Sequence, residues 1–157
     1  MNSKSSASAE EILQKLEYYC SYQERCHVEV QEKLRQFTLS ENEKNQIIVQ
    51  LIEHNFLNEE RFARSFARGK FRIKQWGKNR IVNELKQRQI SAPNIKCGLT
   101  EISDEEYLDT FNKLAESHWE TIRETNTQKK NKKFCDYLLR KGWESNLVYG
   151  KMKELEK

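Results

Sequence analysis

A chain of 157 residues that is 36% hydrophobic and 33% charged has too little apolar material for one wide core, and its mean hydropathy of −0.95 suits narrow seams between helices. One proline and five glycines are too few to punctuate a set of β-turns, which argues against strands. No apolar run is long enough for a membrane span, and MNSKSSASAE lacks the apolar stretch of a secretion signal, so a cytoplasmic protein with a disordered tail over residues 1–8 is expected.

The first helix is expected from near Ala7 to about Tyr19, with Ile12, Leu13, Leu16 and Cys20 on one face. Ser21 with Glu24 has the spacing of a capping box and predicts a second helix starting there, with Cys26, Val30, Leu34 and Phe37 inward. Ser40 with Glu43 predicts a third, with Ile47, Ile48, Leu51 and Ile52 inward. Asn58 can cap a fourth, where Glu59 and Glu60 suit the positive end and Phe62, Ala63, Phe66 and Ala67 form the apolar line. Trp76-Gly77 marks a junction before a fifth helix carrying Ile81 and Leu85. Ser91 caps a sixth with Pro93 in its first turn. Ser103 with Glu106 opens a seventh, striped by Tyr107, Leu108, Phe111, Leu114, Ala115 and Trp119. Thr125 to Lys133 is polar and basic and is expected as a loop. An eighth helix then carries Phe134, Tyr137 and Leu138 and ends at Gly142, and Ser145 starts a ninth.

Nine helices suggest repetition. Val30, Leu34 and Leu39 align with Ile81, Leu85 and Ile90, and with Phe134, Leu138 and Trp143; a serine expected as a helix N-cap follows each set within two residues (Ser40, Ser91, Ser145). The expected fold is all-α, three tandem three-helix repeats over residues 9–55, 56–102 and 103–157. Stacked units would form an elongated, curved molecule, because each alone buries little.

The densest chemical signal is the run Arg61, Arg64, Arg68, Lys70, Arg72, Lys74, Lys78 and Arg80, which contains no acidic residue and is interleaved with Phe62, Phe66, Phe71, Ile73 and Trp76. Net charge is only +4, so the clustering matters more than the total. A basic flank beside an apolar helical face suits polyanion, or acidic protein wrapped on polyanion; the bland alternative is a solvated helix surface. Phe62, Phe66 and Ile81 fit core positions better than stacking platforms, whereas Trp76 could close a seam or face a partner. Lys129, Lys130, Lys132 and Lys133 form a second cluster, either a solvated loop or a second phosphate contact.

No enzyme or cofactor is indicated. Gly77-Lys78 lacks the second glycine and the hydroxyl residue of a phosphate-binding loop, and the acidic groups at Glu59-Glu60 and Asp104 to Glu106 are explained by helix N-termini. Cys20, Cys26, Cys97 and Cys135 are expected as free thiols. With His27, His54 and His118 they do not supply the two close ligand pairs of a zinc site, so no metal is expected.

At these motifs the chain resembles the RecX family of bacterial regulatory proteins, over roughly residues 10–155. Arg25-Cys26-x-x-Glu29-Val30-x2-Lys33-Leu34 is similar to the family's R-S-x-x-E-L-x-x-K-L pattern. Phe56-Leu57-Asn58-Glu59-Glu60-Arg61-Phe62-Ala63 resembles its entry to the second repeat, and Trp76-Gly77-x2-Arg80-Ile81-x3-Leu85 resembles its G-x-x-[RK]-[IL]-x-x-x-L. Leu138 to Trp143 resembles the closing motif. Gln89 stands where the family has glycine, and Asn58-Glu59-Glu60 replaces an aspartate pair. The resemblance implies a non-enzymatic protein, expected as a monomer, that binds the RecA recombinase as its filament on single-stranded DNA and limits ATP turnover and strand exchange. It would thereby regulate recombination, DNA repair and the SOS response, and some family members also touch DNA directly. Two other readings stay open: a DNA-binding protein of helix-turn-helix-like units, and a helical adaptor for another partner.

Overall fold

The computed structural model describes residues 7–157, and among them the regular elements are nine α-helices. They are α1 (Ala9–Tyr22), α2 (His27–Leu34), α3 (Glu41–Glu53), α4 (Glu59–Arg72), α5 (Lys78–Gln87), α6 (Ala92–Leu99), α7 (Asp104–Thr121), α8 (Thr127–Arg140) and α9 (Ser145–Leu155). Most of the expected tail lies outside the described residues; Ser8, assigned to it from the sequence, is the N-cap of α1.

Side-chain caps set most of the helix starts. Ser8, Ser40, Asn58, Ser91, Ser103 and Asn126 each accept from the backbone N–H three residues on. At Ser40 the box is reciprocal, because the Glu43 carboxylate accepts the Ser40 N–H at 3.0 Å. Each such cap is worth ~1 kcal/mol. The expected box at Ser21 does not form. Cys20 is still on the buried line of α1, so that helix runs on to Tyr22 and the Ser21 hydroxyl donates back to the Glu17 carbonyl at 2.8 Å. The second helix starts instead at His27, where Glu29 accepts the Cys26 N–H at 3.1 Å. The expected loop over Thr125–Lys133 is helical from Thr127, and Glu144 rather than Ser145 occupies the N-cap of α9. Ile52 and Leu108, expected inward, are exposed, since Leu51 and Tyr107 beside them take the buried positions.

The helices pack in threes. α1 and α2 lie on α3; α4, α5 and α6 contact one another, with α4 against α6 the most extensive; and α7, α8 and α9 do the same. Two apolar cores result. One holds Ile12, Leu16, Val30, Leu34, Ile47 and Leu51. The other runs continuously from Phe62, Phe71 and Ile81 to Phe111, Phe134, Leu138 and Trp143, so the second and third sets of helices share it. Trp143 centres this shared core, within 4.6 Å of the Tyr107 ring and 5.2 Å of Phe111.

The repeat is visible in the backbone. Ile90 N–H donates to Leu85 O and Trp143 N–H to Leu138 O, each across a residue in the left-handed region, Gln89 (φ 59°) and Gly142 (φ 99°). This is the helix-ending geometry that favours glycine. The first set departs from it: Phe37, not Leu39, takes the buried position after Leu34. Exposed Gln89 carries a side chain where its repeat partner has none, so Gln89→Gly is expected to raise stability by ~0.5–1 kcal/mol, read as a shifted urea midpoint.

Candidate functional site

Helix α4 is acidic at its start (Glu59, Glu60) and basic at its end (Lys70, Arg72), the polarity the helix dipole favours. Phe62, Ala63, Ala67 and Phe71 bury one face. The basic residues therefore divide between two flanks with different surroundings.

On the first flank the charge is matched within the chain. Arg64 lies 3.3 Å from Glu60 and 3.5 Å from Glu101, Arg68 pairs with Glu101, and Arg72 meets Glu106 at 3.2 Å. Lys78 reaches Asp104 at 3.8 Å across the face of Tyr107. The Glu60 hydrogen bond holds the Arg64 guanidinium more firmly protonated than usual. Arg61 braces the first helices against α4: its Nε lies 2.6 Å from Glu24, its Nη2 donates to the backbone carbonyls of Asn55 and Phe56 at 3.0 and 3.3 Å, and its Nη1 donates to Asn55 Oδ1 at 3.1 Å. Each exposed pair is worth ~0–1 kcal/mol. Their more important effect is that these cations already face carboxylates.

On the second flank the cations gather round aromatic rings. The Arg80 guanidinium lies 4.2 Å from the Trp76 ring, and Lys70 is 5.1 Å from Trp76 and 5.5 Å from Phe66. Arg88 also lies over Phe66, 4.8 Å from the ring centre. Phe66 and Trp76 meet edge to face at 6.2 Å. Lys141 Nζ donates to the Lys74 carbonyl at 2.7 Å, and burial, then Arg80 and Lys74, lower its pKa from the ordinary lysine value. Among the described residues, the carboxylate paired with this group is Glu84, 2.9 Å from Arg88. Ile73 stands 79% exposed beside Lys70 and Lys74. Half-buried Trp76 closes a seam, meeting Phe66 edge to face, and Arg80 and Lys70 lie over its ring.

The second flank exists because two turns are locked together. Gly77 N–H donates to Lys141 O at 2.9 Å, Asn79 N–H to Gly142 O at 3.0 Å, and Trp143 Nε1 to Gln75 O at 3.2 Å. Below them the Tyr107 hydroxyl accepts the Lys78 N–H at 2.8 Å and donates to the Glu144 carboxylate. Burial, then that carboxylate, push the Tyr107 pKa well above the ordinary phenol value. The lock brings Lys141, from the end of α8, beside Lys74, just past α4, and Arg80 of α5.

Arg88 and Lys141 were not singled out from the sequence, yet a signal was there. The alignment that matches Leu85 with Leu138 also matches Arg88 with Lys141, one residue before each left-handed turn. The lysines of α8 are a separate group. Lys129, Lys130, Lys132 and Lys133 lie ~12–18 Å along the helix axis from Lys141. Lys132 pairs with Asp136 at 2.7 Å, Lys133 with Glu124 at 3.6 Å, and Lys130 covers the Trp119 ring at 4.1 Å. The four cysteines are free, and no group of three or more His, Cys, Asp or Glu among the described residues could hold a metal ion.

A family model described as "RecX, second three-helix domain" matches residues 58–99. The chain is 37% identical over 91 residues to the regulatory protein RecX of Lactobacillus gasseri, covering 58% of this chain and 34% of that protein. It is 30% identical over 118 residues to the regulatory protein RecX of Clostridium perfringens, covering 74% of this chain and 55% of that protein. The chain thus spans from about a third to about half the length of these curated relatives. The crystal structure of RecX from Lactobacillus salivarius superposes with a TM-score of 0.79 at 24% identity, over 94% of this chain and 96% of that one. A second RecX crystal structure gives 0.81 at 23% identity, over 93% and 73%. At these identities the superpositions establish the fold.

Proposed function

We propose that this chain, a member of the RecX family, binds a recombinase of the RecA type where it is polymerised on single-stranded DNA, and slows the filament's ATP turnover and strand exchange. In this reading it catalyses nothing itself and acts as a cytoplasmic monomer in the control of recombination and DNA repair. The proposal rests above all on the patch of Lys70, Lys74, Arg80, Arg88 and Lys141 around Phe66 and Trp76, where cations outnumber carboxylates and the backbone beneath is fixed by hydrogen bonds between two turns. A filament groove presents phosphate and acidic side chains at close spacing, and such a patch meets both.

Three units, residues 9–55, 56–102 and 103–157, give the mechanism. The middle unit contributes most of the patch and the third completes it with Lys141, while the outer units reach neighbouring protomers. A body fastened to more than one protomer opposes the relative motions that turnover needs. The matched residues Arg61, Arg64, Arg68, Arg72 and Lys78 serve mainly to hold α4 in place, and Lys129, Lys130, Lys132 and Lys133 form an outlying contact. The test compares the affinity of this chain for recombinase-coated single-stranded DNA with its affinity for each component alone. Preference for the coated strand supports the proposal. Equal affinity for bare oligonucleotide, with a steep fall in salt, favours the plain DNA-binding alternative.

A further inference from the structure

Helix α1 carries two aromatic residues that its own fold does not use. The buried line is Ile12, Leu16 and Cys20. Tyr18 and Tyr22 are each two residues from that line, about 200° round the helix from Leu16 and Cys20 respectively, and are 72% and 73% exposed. They lie on one face, about 6 Å apart along the axis. They border a groove of about 780 Å³ between α1 and the α2 region, the size of a ligand cleft.

The groove is also positive. Lys15, Arg25 and Lys33 line it against a single carboxylate, Glu11. Among the described residues, none of the three cations has a carboxylate within ion-pair distance, in contrast to the arginines of α4. They are held in place by other means. Arg25 donates to the Tyr19 carbonyl at 3.0 Å and its guanidinium lies 3.7 Å from the centre of the Tyr19 ring. Lys33 reaches the same ring at 5.4 Å, and Lys15 lies 5.6 Å from Phe37.

We infer that this groove binds single-stranded nucleic acid, with unpaired bases stacking on Tyr18 and Tyr22 and phosphates meeting Lys15, Arg25 and Lys33. Exposed rings beside fixed, unmatched cations are the arrangement that holds single strands without sequence preference. A duplex does not fit, because its bases are stacked at ~3.4 Å per step and offer no free face to rings ~6 Å apart. An acidic peptide would satisfy the cations but leave the two exposed rings without a flat partner. The site lies on other helices than the Lys70–Lys141 patch and requires no recombinase, so it stands apart from the function proposed above.

The test uses the full chain, a fluorescently labelled oligothymidylate and no recombinase. Tyr18→Ala/Tyr22→Ala should weaken binding about tenfold or more, with far-UV circular dichroism unchanged because both side chains are exposed. An abasic strand of equal length should bind wild type no better than the oligothymidylate binds that variant. Three neutralised phosphates give a slope of log affinity against log salt of about −2. Lys113→Ala, at an exposed position of α7 outside both patches, should leave oligothymidylate binding within about threefold. No measurable binding by wild type, an unchanged affinity in the tyrosine variant, or equal binding of the abasic strand would each overturn the inference. So would displacement of the strand by a polyglutamate peptide at equal charge concentration.

Discussion

Replacing Gly142 with valine is expected to cost about 3 kcal/mol or more of folding stability, measured as the shift in a urea transition followed by circular dichroism. Gly142 has φ 99°, a conformation that strains any residue with a Cβ. Space is also lacking: a Cβ there would lie 2.3 Å from Arg80 Cβ and 2.5 Å from Arg80 N. Gly77 faces it from the other turn, where a Cβ would lie 2.3 Å from Gly142 O. Two backbones meet at this point because both residues are glycine, and the shared core around Trp143 lies directly beneath. Relief by small movements is blocked, because the same segments exchange the hydrogen bonds from Gly77 to Lys141 and from Asn79 to Gly142. Gly69→Ala is the control. Nothing approaches within 4 Å of a Cβ at that helical position, so it should leave stability unchanged or raise it by up to ~1 kcal/mol. Equal losses in the two variants would mean that the junction does not close as described.

Reversing Lys70 and Lys74 to glutamate is expected to weaken filament binding by roughly tenfold to a hundredfold, ~1.4–2.7 kcal/mol, while the chain stays folded. Neither ammonium faces a carboxylate partner, so no ion pair is broken. The folding cost should be a few tenths of a kcal/mol from placing acids near the C-terminus of α4. Reversal of Arg68 and Arg72 is a poorer probe, because it would set like charges against Glu101 and Glu106. Neutral replacements there, Arg68→Gln with Arg72→Gln, should change filament affinity less than the lysine pair does. The opposite ranking would move the contact to the first flank of α4.

Much of the architecture was legible because capping residues and apolar spacing act over three or four positions. Ser40, Asn58, Ser91 and Ser103 start helices where the spacing placed them, and Gly142 ends one. The misreadings have local causes. Ser21 and Glu24 have the spacing of a box, but the burial of Cys20 keeps α1 going through Ser21. The lysines of α8 oppose the helix dipole at an N-terminus and so resemble a loop; burial of Phe134, Cys135 and Leu138 on the same helix outweighs that cost.

The site was legible as composition but not as geometry. Acidic residues are absent from Arg61–Arg80, yet Glu101 and Glu106 return to Arg68 and Arg72 from 33 and 34 residues away. Only tertiary packing, which sets the turn after α6 and the start of α7 against α4, shows which cations they take. The same packing leaves Lys70, Lys74 and Arg80 to be joined by Lys141 from the third set of helices.

The most direct measurement is equilibrium binding of the labelled full chain to three targets at one salt concentration: recombinase-coated single-stranded DNA, the bare strand, and free recombinase. The expected result is binding to the coated strand at least tenfold tighter than to either component, lost with Lys70→Glu/Lys74→Glu. Equal affinity for bare and coated strands, or a coated-strand affinity that the two reversals leave intact, would contradict the account.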